Sequence, residues 1–184
     1  MAITSKSLLE AGGMRKQTAL VILLSAIIIA LIPISYLAAV NVVQEAVVYR
    51  IGFNSKSGSL NIDEGNVTLS GVFILENRAD IPLSFDAILK VLVYPTVNHT
   101  FDGSFEFSVG PFVSDAVLVG NVSARDALAP PHGQVDVPWS LNVVSEDALS
   151  VVRSGNFSSF WVPYDILVTG SFLGWRIASR PAFQ

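Results

Sequence analysis

Chemistry needs side chains that exchange protons, attack or hold metal, and this chain of 184 residues carries few of them. Its two histidines, His99 in "VNHTFD" and His132 in "APPHGQ", sit in separate polar turns. A loop histidine without a nearby base or nucleophile is ordinarily a solvated side chain. There is no cysteine, which removes disulfides, thiolate zinc sites and thiol nucleophiles together. No Gly-x-Ser-x-Gly elbow, phosphate loop, His-Glu-x-x-His pair or dinucleotide fingerprint occurs. Asp63, Glu64 and Asn66 in "NIDEGN" gather oxygens of the kind Ca²⁺ takes, but at spacings unlike an EF-hand loop, so a charged turn accounts for them. The reading is a non-enzyme with no catalytic, cofactor-binding or metal-ligating residue.

One modification motif does recur. Asn66-Val-Thr68, Asn98-His-Thr100, Asn121-Val-Ser123 and Asn156-Phe-Ser158 all fit Asn-x-Ser/Thr, the acceptor for N-linked glycan. With nine asparagines and 27 Ser plus Thr, chance supplies about 1.3 such triplets, so four is an excess. Asn66, Asn98, Asn121 and Asn156 are the expected glycosylation sites, and they place the segment that bears them outside the cell.

The element that must put it there is "TALVILLSAIIIALIPISYLAAV", Thr18 to Val40, which holds no charge. As a helix rising about 1.5 Å per residue it reaches about 34 Å, enough for a hydrocarbon core of about 30 Å. A secretory signal has a shorter apolar region and a small-residue cleavage pattern, which is poor here. Pro33 is tolerable in a membrane helix as a kink. Lys6, Arg15 and Lys16 precede the run against Glu10 alone, and the first charge beyond it is Glu45. The positive-inside rule leaves the N-terminus in the cytoplasm. The expected organisation is a cytoplasmic tail, 1–17, a transmembrane helix, 18–43, and an extracellular domain, 44–184. That domain carries 14 acidic and 8 basic side chains, the wrong sign for nucleic acid. Small residues along the helix (Ala19, Ser25, Ala26, Ala30, Ala38, Ala39) offer close approach to a second helix. An uncleaved anchor, several sequons and no cysteine together point to an archaeal cell surface.

After the run, apolar residues alternate. "VVYRIGF" does so at Val47, Tyr49, Ile51 and Phe53, and "NVTLSGVFILE" at Val67, Leu69, Phe73 and Leu75. "LSFDAILKVLVY", "TFDGSFEFSV" and "QVDVPWSLNVV" follow the same rule. Period two marks strands. Turn chemistry separates them, at "NSKSGS", "DEGN", "ENRADIP", "APPHG", "RSGN" and "FLGW". Seven or eight strands in about 140 residues predict a mainly β chain: an antiparallel immunoglobulin-like sandwich behind the N-terminal helix. Pro82, Pro138 and Pro163 belong at edges or bulges, since proline cannot donate to a ladder. Trp139, Trp161, Tyr164 and Trp175 read as core or rim. "SEDALSVVRSG" predicts one short helix, with Ser145 as N-cap, an apolar stripe of Ala148, Leu149, Val151 and Val152, and Gly155 at its end.

The order of these features resembles the LEA-2 family, also called the WHy (water stress and hypersensitive response) domain. The matching positions are Asn77, Pro82, Leu83, Gly133, Val135, Val137, Tyr164 and Gly170, within roughly residues 46–183. Arg78 stands where that family often has proline. The resemblance implies a compact β-sandwich with a helix at one end, linked in the family to stress protection or to membrane-anchored surface proteins, and no catalysis.

The expectation is therefore a single-pass cell-membrane protein with a structural, adhesive or accessory role. Its partners are the lipid bilayer through residues 18–43, and proteins of the membrane or envelope, self-association included. One alternative is a filament subunit like an archaeal pilin, whose apolar helix packs in the filament core; "GGMRKQTALVILL" has its basic pair suitably placed. Another is a stress-protection or ligand-binding domain released by cleavage near Ala39.

Overall fold

Alternation at period two shows where the core lies. In β2 (Asn66–Asn77) the inward side chains are Val67, Leu69, Phe73, Leu75 and Asn77, and in β3 (Leu83–Pro95) they are Leu83, Phe85, Ala87, Leu89, Val91 and Val93. Each set is buried as one face, because successive strand residues point to opposite sides. The computed structural model describes residues 5–63, 65–108 and 114–181, and for residues 5–17 and Ser57 the backbone alone. Glu64 lies outside them.

The chain is mainly β. It runs α1 (Ser5–Tyr49), β1 (Ile51–Asp63), β2, β3, β4 (Glu106–Phe107), β5 (Val117–Ala129), β6 (Gly133–Asn142), α2 (Glu146–Arg153), β7 (Phe157–Phe172) and β8 (Trp175–Ser179). One sheet has the order β1-β2-β6, the other β4-β7-β3-β5, with β8 paired to β7. All pairings are antiparallel except the two-residue β4–β7 contact. The layers meet on the faces just named, joined by Trp139, Val119, Val122, Trp161, Ile166 and Val168.

The prolines fall where a missing N–H is harmless. Pro138 is on β6, an edge strand paired only to β2. Pro163 lies where the β3–β7 register shifts, so Tyr164 bulges between partners Ile88 and Leu89. Helix α2 follows its predicted stripe, with Ala148 and Val152 fully buried. The Ser145 side chain does not cap it; the Ser145 carbonyl accepts the Leu149 N–H instead, at 2.8 Å. Gly155, at φ +74°, takes the left-handed turn that ends the helix.

Three expectations are corrected. Val47 and Tyr49 are not strand residues: α1 runs on to Tyr49, past the expected end at residue 43, and its backbone starts at Ser5. Ala39, Val43, Ala46 and Val47 recur at helical spacing and are buried against β7 and β8, so docking outweighs local alternation. Phe101 and Phe105 do not share a strand with Phe107. The chain turns at Gly103 (φ +86°), and their rings pack instead on Phe157 (centroids 4.7 Å apart) and Trp139 (4.9 Å). Strand β5 has no counterpart in the sequence reading; it is an edge strand with two register shifts, which blur its alternation.

Helix α1 has two halves. From Thr18 to Ile34 every side chain is exposed. From Ser35 on, one stripe docks on the sandwich, so Ala39 serves the chain's own domain rather than a second helix. Pro33 lies inside α1 without ending it. Gly170 is a close point of the dock. A Cβ built there would stand 3.0 Å from Val43 Cγ2 and 3.1 Å from both Ile81 Cδ1 and Leu83 Cδ2. Gly170→Val is expected to cost about 1–3 kcal/mol by overpacking and to open the helix–sandwich seam. Limited proteolysis of residues 40–50 checks this; an unchanged cleavage rate would refute it.

Candidate functional site

No reactive constellation forms among the described residues. Among the described residues, no three His, Cys, Asp or Glu converge as a metal set. His132 Nε2 lies 2.7 Å from Asp80 Oδ1 on the surface, and His99 sits in a loop where its carbonyl accepts the Thr96 hydroxyl at 3.0 Å. Asp63 and Asn66 pair across the β1–β2 hairpin. The Asp102 carboxyl is held below the usual carboxylate value, first by the Ser104 side chain and then by the Ser104 amide, which donates at 2.9 Å in an exposed turn. A groove of about 340 Å³ lies on the outer face of the larger sheet. Two of its charged contacts are internal: Arg180 reaches Asp165 at 3.3 Å, and Asp86 accepts the Asp126 N–H at 2.8 Å, while Arg125 also lines it.

Two surfaces stand out instead. The first is the bare half of α1, where the most apolar window, within Thr18–Tyr49, has no part buried. This is one helix long and apolar enough to cross a membrane. It meets the sandwich at an aromatic contact that the sequence reading did not single out. Trp175 Nε1 donates to Ser35 Oγ at 3.0 Å, and the Trp175 and Tyr36 rings meet edge to face at 5.2 Å. Tyr36 at the end of the apolar run and the uncharged "FLGW" turn were the available signals.

The second surface is the far end of the sandwich. Strand β2 ends, and β3 starts, beside the C-terminus of α1, where Arg78 N–H donates to Arg50 O at 2.8 Å. The opposite strand ends are therefore remote from the helix. There lie Asn66, the first residue of β2, Asn98 in the loop after β3, and Asn156 just before β7. Asn121 lies in β5 opposite Lys90. All four asparagines are exposed.

Of the aromatics, Trp139 and Trp161 are buried, Trp175 is half-buried, and Tyr164 is exposed with Lys90 Nζ 4.2 Å above its ring. The family-like positions Asn77, Leu83, Gly133 and Gly170 gather at the helix end, where Asn77 pairs with Gly133 and Leu83 with Gly170.

No known protein family matches the chain, and no curated protein matches it. Solved structures that resemble it include the β-glucosidase DesR from Streptomyces venezuelae in complex with D-glucose, 11% identical over 72% of this chain and 15% of that one, TM-score 0.28. Another is β-glucosidase 3B from Thermotoga neapolitana in complex with glucose, 13% identical over 72% of this chain and 16% of that one, TM-score 0.31. The chain thus spans a small fraction of those enzymes, and likeness at this level carries no argument about activity.

Proposed function

We propose that this chain is a single-pass membrane protein whose sandwich stands outside the cell as a structural, adhesive or accessory module. The observation that carries the reading is the division of α1: an apolar half exposed all round, continuous with a half locked to the sandwich. An apolar helix with no polar face, exposed all round, suits a lipid surround. The basic flank of Arg15 and Lys16 favours a cytoplasmic N-terminus. The exposed sequons, three of them at the far end and Asn121 within β5, fit a glycan-bearing outer face, with Asn66, Asn98, Asn121 and Asn156 as acceptors. The resemblance of the sequence to the LEA-2 family is in keeping with a protective or surface role.

A second reading rests on the same bare half-helix. In a pilin-like filament it would pack against other copies rather than lipid. Intact mass and peptide mapping of the protein from native membranes separate the readings. A chain that keeps residues 1–43, is released only by detergent, and carries glycan on the sequons supports the anchor. A start within Gly13–Thr18 supports the filament subunit, and a start near Val40 a released domain. Ile28→Arg is expected to weaken insertion by about 2.5–3.5 kcal/mol before any loss to hydrophobic exchange. It should shift protein toward the soluble fraction after alkaline extraction. Unchanged partition would count against the bilayer.

A further inference from the structure

We infer that the β7–β8 hairpin is a second membrane contact, seated in the outer lipid interface beside α1, so that the sandwich is held down on the bilayer rather than carried on a free stalk. The inference rests on the anchor reading and deepens it.

The geometry begins with register. Leu83, the first residue of β3, pairs with Gly170, so β7 beyond Gly170 and all that follows it to the turn project past the sheet. Gly170 packs at Val43 of α1, and Trp175 at Ser35. The hairpin therefore descends along the helix toward its bare half, and its tip, Leu173-Gly174, lies level with about Ser35.

Length then decides where that level falls. The seventeen exposed residues Thr18–Ile34 span only about 25 Å, short of a hydrocarbon core of about 30 Å. With Arg15 and Lys16 at the inner headgroups, the outer edge of the core falls near residue 38. The hairpin tip lies inward of that edge. The first polar side chain beyond the run, Asn41, lies outward of it.

The hairpin's composition fits that place. Phe172, Leu173, Gly174 and Trp175 are uncharged, and Arg176 follows where a long cation can reach lipid phosphate. Trp175 and Tyr36 form the kind of aromatic pair that settles at the headgroup level. Leu173 is the sharpest sign. The turn has φ +49° at Leu173 and +81° at Gly174, a two-residue form that favours Asn, Asp or Gly at both positions. A leucine there is strained, and it is 61% exposed. Water rewards neither feature; a lipid interface rewards the exposed leucine.

The chain lacks cysteine, so single-cysteine probes need no background removal. Leu173→Cys, Ile28→Cys and Val97→Cys variants of the full chain, each carrying an environment-sensitive fluorophore, would be reconstituted in phosphatidylcholine vesicles containing lipid-borne quenchers. The expected result is strong quenching at 28, intermediate quenching with a blue-shifted emission at 173, and none at 97, on the remote loop. A probe at 28 in lipid with 173 in water overturns the hairpin contact and leaves the anchor standing. A probe at 28 in water overturns the anchor, and this inference with it.

Discussion

Asn77→Asp is expected to unfold the sandwich at neutral pH. Asn77 is almost fully buried at the end of β2, and its amide binds four backbone groups. Nδ2 donates to the carbonyls of Ile81 (2.8 Å), Ala129 (3.1 Å) and Pro130 (3.0 Å), while Oδ1 accepts from Ala79 N–H (3.0 Å). One side chain thus ties the β2–β3 turn to the β5–β6 turn, which links the two sheets. Replacing it with alanine or leucine strands four backbone groups at about 1–3 kcal/mol each, about 4 kcal/mol or more in total. That is a large share of the ~5–15 kcal/mol typical of a whole domain.

Aspartate is worse, because it turns a carboxylate oxygen on three carbonyls. Its sign with pH is also distinctive. Burial and the facing carbonyls raise the folded-state pKa of the new carboxyl above its unfolded value of about 3.9. The folded state then binds the proton more tightly, so stability is greatest in acid and falls as pH rises through the folded-state pKa. Thermal melts of the variant in detergent should show partial recovery near pH 4, and the alanine variant should show no such recovery beyond the parent's own pH dependence. An aspartate variant melting like the parent at pH 7 would refute the role of Asn77.

Trp161→Ala should lower the melting temperature by an amount of similar size. Trp161 on β7 is 1% exposed and joins Phe53 of β1, Phe73 of β2 and Phe107 of β4 at centroid distances of 6.1, 5.2 and 4.6 Å. It fills the space between the sheets, so truncation leaves a cavity that rigid strands close only in part. The expected cost is about 3–5 kcal/mol, or roughly 10–20 °C for a domain of this size. Trp161→Phe is the control. Trp161 Nε1 has no hydrogen-bond partner among the described residues, so phenylalanine gives up ring volume and no polar contact. Its cost should stay below about 2 kcal/mol. Equal losses for Ala and Phe would mean that the indole N–H, not the packing, holds the site.

Much of this protein could be read without coordinates, because the governing signals are local. An uncharged run longer than a bilayer core is visible in composition. The alternation of β2, β3 and β6 is visible because a strand's inward face repeats every second residue. Pro138 and Pro163 correctly marked an edge and a bulge, since the missing N–H is a property of the residue itself. What was illegible depended on contacts distant in sequence. "NVVQEAVVY" satisfies a helical and an alternating reading alike; helix wins because β7 and β8, far along the chain, offer Ala39, Val43, Ala46 and Val47 a surface to bury against. Phe101 and Phe105 alternate, yet the turn at Gly103 and the rings of Phe157 and Trp139 draw them out of a strand. Strand β5 hides because bulges break its period. The gathering of the sequons toward one end, and the descent of the hairpin along α1 at the other, are facts of pairing register. Register is set between strands, and no single stretch of sequence contains it.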